Sequence, residues 1–340
     1  MHYRFALLGC GHIGKKHAAL AARYGSLVAV GDLLPEKARV LADSWNVPAY
    51  TNLTDMLLET NPDIVLICSP NGLHARHAIE ALQAGCHVLC EKPMALRVQD
   101  AEAMIQTAKS FNKRLFIVKQ NRFNPPVEWV KQQLEAKRFG KLLGFQLNAF
   151  WNRTTAYFTE SAWKGSLELD GGPLFTQFSH FVDLLYWYLG ELKTVHFAQS
   201  ENLLHENSIE FEDQGIAILE FMSGIRGSIH YSINAFDHNM EGSLSLFGEK
   251  GTVKIGGTYL NKLEYLALPG AERPDLPESP VNEYQGYTGS SSHHHLVYEA
   301  MLRSLSDPAY PFIKPEEARH SVQIIEAIYA QMGNRNRYYE

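Results

Sequence analysis

The chain has 340 residues, 45% of them apolar and 20% charged, the balance of an ordinary globular protein; this excludes a disordered or low-complexity chain. At roughly 150 residues per domain, it is long enough for two domains with separate cores. Lys and Arg number 31 against 37 Asp and Glu, a net charge of −6 with no basic stripe, which excludes nucleic acid as a partner. No apolar run approaches the roughly 18 residues of a membrane span, and the sequence opens on a strand pattern, so a cytoplasmic protein with no membrane partner is expected.

The first 120 residues alternate short apolar runs with helical patterns, the signature of parallel strands joined by crossover helices. Strands are expected at 3–8, 27–31, 47–50, 64–68, 87–90 and 115–118, with helices near 12–24, 35–45, 53–59, 73–84 and 98–110. Pro35 suits a first helical turn, where its missing N–H costs nothing, and Gly85 suits a left-handed helix stop. Six such strands make one doubly wound α/β domain of the Rossmann type, assigned to residues 1–121.

Beyond Asn124-Pro125-Pro126 the texture changes. A helix near 127–137 leads into alternating strands, among them 145–150 and the pair 216–221 and 225–233 joined through Ser223-Gly224. One helix, 172–189, precedes most of them. Strands in succession without intervening helices predict a large, mainly antiparallel sheet, so residues 122–340 are assigned to a second, α+β domain for substrate binding and subunit contacts. An exposed antiparallel sheet needs cover, which predicts a homo-oligomer, either dimer or tetramer. The stretch 269–292 lacks periodicity and reads as a binding loop or a mobile segment, and helices near 295–306 and 315–332 end the chain.

Cys10, Cys68, Cys86 and Cys90 all fall within the first 90 residues, three of them in or beside expected strands, which fits reduced thiols in a core. The group Cys86-His87-Cys90 is a poor ligand set, because alternate strand residues face opposite ways and no second pair follows; no metal is expected.

Three motifs carry chemistry. In Gly9-Cys10-Gly11-His12-Ile13-Gly14, Gly9 permits a tight exit from the strand, Gly11 lets the backbone approach a pyrophosphate, and Gly14 lets helix pack on strand. The phosphates then meet the positive end of the helix. Asp32 ends the next strand, where a carboxylate accepts ribose hydroxyls and disfavours a 2′-phosphate; this favours NAD, although Arg39 leaves the preference open, and Asp32 also suits a helix cap. Glu91-Lys92-Pro93 stands at the carboxyl edge of the fifth strand, where such sheets bind ligands. Lys92 fits a proton-handling amine or a plain turn lysine, and position alone does not separate the two. The third motif runs from Gly171 to Asp183, where Thr176, His180 and Asp183 share one helical face with Gln177 beside them. His180 titrates in the right range to move a hydroxyl proton, with Asp183 to orient its ring, while a satisfied core histidine is the alternative.

Taken together, the glycine turn, Ser69-Pro70-Asn71-Gly72-Leu73-His74, Glu91-Lys92-Pro93, Gln120-Asn121-Arg122-Phe123-Asn124 and the Gly171 to Asp183 segment resemble the glucose-fructose oxidoreductase/inositol dehydrogenase/MocA family of NAD(P)-dependent sugar oxidoreductases. The resemblance implies a dehydrogenase acting on a CH–OH group, with Lys92 and His180 catalytic beside nicotinamide and substrate. It implies cofactor contacts from Gly9, Gly11, His12, Ile13, Gly14, Asp32, Ser69, Asn71, His74, Glu91, Lys92, Asn121 and Trp163. Lys92, Arg122, Thr176, Gln177 and His180 fall on the substrate side. Polyol-oxidising members place an acid where this chain has Thr176. The run Thr176-Gln177-Phe178-Ser179-His180, with Phe150-Trp151-Asn152-Arg153 and Asn282-Glu283-Tyr284-Gln285-Gly286-Tyr287, instead resembles the sugar-nucleotide branch typified by UDP-N-acetylglucosaminuronate 3-dehydrogenases. Arg153 has a planar fork suited to a uronate carboxylate or a diphosphate, while a lone exposed arginine is more often structural. A free sugar or polyol is the alternative substrate, and a non-catalytic NAD sensor a further one.

Overall fold

In the computed structural model the described residues are 2–284 and 287–333, so Gln285 and Gly286 of the 282–287 run lie outside them. By its contacts the chain divides into two compact units. Among the described residues, one takes in 2–118 and His294–Val322; the other comprises those of 119–293 and 323–333.

The first unit alternates β1 (Arg4–Leu8), α1 (His12–Tyr24), β2 (Ser26–Gly31), α2 (Pro35–Trp45), β3 (Ala49–Tyr50), α3 (Leu53–Thr60), β4 (Ile64–Ile67), α4 (His74–Gln83), β5 (His87–Cys90), α5 (Val98–Ser110) and β6 (Leu115–Ile117). The strands form one parallel sheet in the order β3-β2-β1-β4-β5-β6, the doubly wound arrangement expected. β1 and β4 lie at its centre, and Ile64, Val65, Leu66 and Ile67 are wholly buried, which is why β4 reads as an unbroken apolar run. Helix ends follow local chemistry. Pro35 opens α2, Asn52 accepts the Asp55 N–H to cap α3, and Gly85 follows α4 at φ +86°. The expected 73–84 helix begins instead with a 3-10 turn at Asn71–Leu73.

A boundary at residue 121 leaves out the return of the chain to this unit. The helix at 294–306, labelled α10 below, carries Tyr298, which is 0% exposed, with its ring 6.0 Å from that of Phe5 and 5.7 Å from that of Tyr24.

The second unit contains α6 (Pro125–Glu135), β7 (Leu142–Phe150), α7 (Thr155–Thr159), α8 (Pro173–Thr176), α9 (Ser179–Leu189), β8 (Leu192–Glu201), β9 (Gln214–Phe221), β10 (Arg226–Ser232), β11 (Glu241–Gly248), β12 (Gly251–Gly256), β13 (Lys262–Ala267), β14 (Val281–Tyr284) and β15 (Tyr287–Ser291). After it come α10 (His294–Ser306) and α11 (Pro315–Gln331). Seven strands form a sheet in the order β13-β12-β11-β7-β10-β9-β8, antiparallel throughout except where β10 runs parallel to β7. Gly224, at φ +82°, closes the β9–β10 hairpin in a left-handed conformation.

Two expectations change here. The single helix at 172–189 is broken: Gln177 and Phe178 both donate to the Pro173 carbonyl, and α9 restarts from the Phe178 carbonyl, which accepts from Phe181 and Val182. The break lets Phe178 join an aromatic cluster, its ring 5.4 Å from Trp151 and 6.0 Å from Tyr231. The aperiodic stretch at 269–292 contains the β14–β15 ladder, held by Asn282 Nδ2 donating to the Ser291 carbonyl at 2.9 Å. Strands of four and five residues are too short to show a period. No helix among the described residues is long and apolar enough to cross a membrane.

Candidate functional site

The glycine turn has the steric logic its spacing suggests. Gly9 lies at φ +103°, and a Cβ there would sit 2.3 Å from the Cys68 carbonyl oxygen. A Cβ on Gly14 would sit 1.9 Å from the Gly9 carbonyl oxygen, so helix and strand approach only without a side chain. A Cβ on Gly11 would meet nothing within 4 Å. Gly11 is also the N-cap of α1, with no side-chain cap and no acid in the first turn. The positive end of the helix therefore meets open space at Gly11, which fits a pyrophosphate. Asp32 supports the turn directly: Oδ2 accepts the Cys10 N–H at 2.8 Å and Oδ1 accepts the Leu34 N–H at 3.0 Å. Asp32 does not cap α2, whose N-cap is Leu34 with no side-chain cap; its carboxylate braces the glycine turn and the approach to the helix instead.

Around the carboxyl edges of β4 and β5 the expected residues fall into two kinds. Asn71 is buried and Ser69 half-buried, the Ser69 hydroxyl 2.9 Å from His77 Nδ1. His74 is built into the scaffold, with Nδ1 2.7 Å from the Pro93 carbonyl and Nε2 2.8 Å from the Ser69 carbonyl, so it ties the loop after β5 to the loop after β4. Burial lowers its pKa, against those two carbonyl bonds. Lys92 is half-buried and its peptide to Pro93 is cis. Glu91, expected along the cofactor, is buried, and its carboxylate takes protein partners: Oε1 lies 2.9 Å from His17 Nε2, and Oε2 accepts the Lys92 N–H at 3.1 Å. His17, Glu91 and His294 form a group whose ligand-type atoms all lie within 4.8 Å of one another. Nothing marked His17 in advance except its place three residues after Gly14, on the buried face of α1.

In the second unit, His180 lies on the first turn of α9 and is 3% exposed. Its Nε2 is 3.0 Å from Gln120 Nε2, a residue for which the sequence suggested no role. As placed, the Gln120 amide N–H donates to His180 Nε2, which pins that edge of the ring and puts the proton of the neutral imidazole on Nδ1. Asp183 does other work than expected of it: Oδ2 accepts from Arg122 Nε at 2.7 Å, and Oδ1 from Arg122 Nη2 at 3.1 Å and Lys119 Nζ at 3.0 Å. Burial opposes ionisation of Asp183, but Arg122 and Lys119 outweigh it and hold the carboxyl well below its ordinary range. Arg122 is 5% exposed, with its guanidinium 5.1 Å from the Trp187 ring centre, so it anchors α9 to the turn at Gln120–Phe123.

Thr176 leaves the face of His180 because the helix breaks between them; its hydroxyl bonds the Asp170 carboxylate and, at 3.0 Å, the Asp170 carbonyl. Gln177 is buried, and its Nε2 donates to the Tyr157 hydroxyl at 3.3 Å. Arg153 is 4% exposed rather than exposed, its guanidinium 5.0 Å from the Trp151 ring and 5.2 Å from Tyr157. It donates to the Asn152 carbonyl and to Asn239 Oδ1. Trp163 is half-buried in the loop after α7. Asn121 Oδ1 accepts from the Ser290 and Ser291 hydroxyls at 2.7 and 2.9 Å, while its buried Nδ2 has no hydrogen-bond partner among the described residues. That donor fits a group of the cofactor or substrate.

Residues 3–119 match the oxidoreductase family with an NAD-binding Rossmann fold, and residues 127–254 match the GFO/IDH/MocA C-terminal domain. The chain belongs to the GFO/IDH/MocA oxidoreductase family. It is an NAD-binding oxidoreductase of this family of sugar dehydrogenases. Among solved structures, the chain is 33% identical to the WlbA dehydrogenase of Bordetella pertussis, solved in complex with NADH and UDP-GlcNAcA, with 98% of both chains covered and a TM-score of 0.87. It is 32% identical over 198 residues to the D-glucoside 3-dehydrogenase of Escherichia coli (strain K12), covering 55% of this chain and about half, 54%, of that one. It is 26% identical over 255 residues to the myo-inositol 2-dehydrogenase of Thermotoga maritima, covering 74% of each. All four cysteines of this GFO/IDH/MocA protein are free and buried, as expected of core thiols.

Proposed function

We propose that the protein oxidises the C3 hydroxyl of a nucleotide-linked N-acetylhexosaminuronate to a ketone, reversibly, with NAD. What carries this reading is the likeness along nearly the whole chain, at 33% identity, to a dehydrogenase solved with NADH and UDP-GlcNAcA. When bound, NAD supplies the hydride acceptor. Lys92 and His180 are the residues assigned to the hydroxyl: the proton leaves the oxygen for one of these nitrogens as the carbon becomes a carbonyl. Gln120, 3.0 Å from His180, orients the imidazole for that transfer. Gly9, Gly11, Gly14 and Asp32 hold the dinucleotide, and the buried Nδ2 of Asn121 supplies a further donor. Arg153 and Gln177 are assigned to the substrate's anionic and polar groups.

A second reading is favoured by one observation, the likeness to D-glucoside 3-dehydrogenase: a sugar without a nucleotide, oxidised at the same carbon. The two are separated by incubating the enzyme and NAD with UDP-linked hexuronates or with free glucosides and following nicotinamide absorbance. Turnover of the UDP sugar, inhibition by UDP, and loss of turnover in Lys92→Ala by about 10²-fold or more are expected. Turnover of free glucosides alone, indifferent to UDP, overturns the first reading. Unchanged turnover in Lys92→Ala overturns the assignment of that lysine.

A further inference from the structure

Lys92 is rooted between two clamps. On its carboxyl side, His74 bonds the Pro93 carbonyl at 2.7 Å. On its amino side stands Glu91, whose Oε2 accepts the Lys92 N–H at 3.1 Å. The other oxygen of Glu91 faces two imidazoles, His17 Nε2 at 2.9 Å from α1 and His294 Nε2 at 3.3 Å from the first residue of α10. His17 is itself held, with Nδ1 2.8 Å from the Tyr298 hydroxyl. The side chains of His74, Glu91, His17, His294 and Tyr298 are all buried.

We propose that Glu91 is a positioning residue for Lys92: its carboxylate, held by His17 with His294 beside it, fixes the Lys92 backbone and sets a negative charge at the root of the lysine. The inference rests on Lys92 being the lysine that handles the hydroxyl proton. An amine on a flexible four-carbon stem is aimed only as well as its root is fixed, and a misplacement of about 1 Å costs on the order of 10²-fold in rate. A buried carboxylate of this kind persists only if its oxygens are bonded. Burial would push the Glu91 carboxyl up, but His17 and His294 outweigh it and hold it well below the usual carboxylate range. Burial drives His294 down to about 4, so it stands 3.3 Å from the carboxylate as a neutral ring at neutral pH.

Other groups face Glu91 from each surrounding element. They are Lys16 on α1, Tyr298 on α10, Cys68 after β4, Cys90 on β5 and His74 on α4. Among these Lys16 is the cation, with its amine brought down to about 8 chiefly by burial. A carboxylate near Lys92 favours the ammonium form, so removing the charge lets the lysine lose its proton at lower pH.

The test is made on the NAD-bound enzyme with ¹³C-labelled lysine, the Lys92 signal being identified by its loss in Lys92→Arg. Glu91→Gln is expected to lower the titration midpoint of that signal by about one pH unit, while Glu91→Asp, which keeps the charge, restores most of it. With a turned-over sugar, Glu91→Gln is expected to lower kcat by about 10- to 100-fold with KM little changed. A role in folding alone would move neither the midpoint nor the split between kcat and KM. If Glu91→Gln does not bind NAD, His17→Asn and His294→Asn carry the same measurement, with smaller shifts in the same direction. An unmoved Lys92 midpoint in variants that bind NAD overturns the proposal, as does one metal ion per chain retained at His17, Glu91 and His294 by elemental analysis. The resonance needs no substrate, so absence of sugar turnover would sink the functional reading and leave this one decidable.

Discussion

Gly11 and Gly14 differ by three positions and by the consequence of adding one carbon. At Gly11 the backbone is extended, with φ −74°, and a Cβ meets nothing, so Gly11→Ala should leave stability unchanged and weaken NAD binding on the order of tenfold, or about 1.4 kcal/mol. At Gly14 the Cβ would fall 1.9 Å from a carbonyl oxygen, so Gly14→Ala should destabilise the protein itself by about 1–3 kcal/mol or more. Fluorescence titration with NADH and urea unfolding separate the two, and equal loss of stability in both variants would refute the distinction. The steric demand at Gly14 was legible because it is local, set by neighbours in one turn. Arg122 and Asp183 were not, because they are 61 residues apart and pair only through the fold. Each alone looks like a site residue; together they form a buried ion pair.

Between elements, the same contrast governs the segment from Gly171 to Leu189. Its polar stripe reads as one helical face, and the period of 3.6 carries through it, yet the chain breaks at Gln177 and Phe178 to seat an aromatic ring. Packing of that kind is invisible to periodicity. A second buried carboxylate shows what packing does to titration. Glu212 precedes β9, is 5% exposed, and accepts from the Tyr231 hydroxyl of β10 at 2.9 Å. Burial pushes its pKa up from 4.5 to about 7, with the charge of Asp213 adding to the rise and the hydroxyls of Tyr329 and Tyr231 opposing it. A folded pKa above the unfolded one means the neutral acid stabilises the fold fully below about pH 4.5, and that this contribution is lost as pH rises through about 7. Glu212→Gln mimics the neutral acid at every pH. Its stability relative to the unaltered protein should therefore rise between pH 4.5 and 7, by up to about 3 kcal/mol, and level off above. Urea unfolding at pH 5 and pH 8 checks this, and a difference independent of pH would refute it.

At the scale of the whole molecule, the sequence shows two kinds of texture but not that residues 294–322 rejoin the first unit. The bond between His17 and Tyr298 spans 281 positions, beyond the reach of any local pattern. The expectation of a homo-oligomer came from strand alternation, and we propose the surface it would use from particular residues. On the seven-stranded sheet, Ala217, Leu219, Ile229 and Tyr231 are buried, while Ile216 and Ile218 of β9 are 42% and 44% exposed. The register sets Phe197, Ile218, Ser228 and Gln146 across β8, β9, β10 and β7, and beside them Gln199, Ile216, His230 and Asn148. These rows carry no Lys, Arg, Asp or Glu; charge gathers one row away, where Lys193, His196 and Arg226 surround Glu220. A centre depleted of charge with a charged border is the composition of a buried subunit interface. A face of this kind covers itself most simply by meeting its own copy about a twofold axis. Light scattering is therefore expected to give a mass of two or four chains of 38.4 kDa. Substituting Ile216→Asp and Ile218→Asp together would place like charges against each other across that axis, halving the mass at least while NAD binding by the glycine turn persists. A single-chain mass for the unaltered protein would rule the interface out.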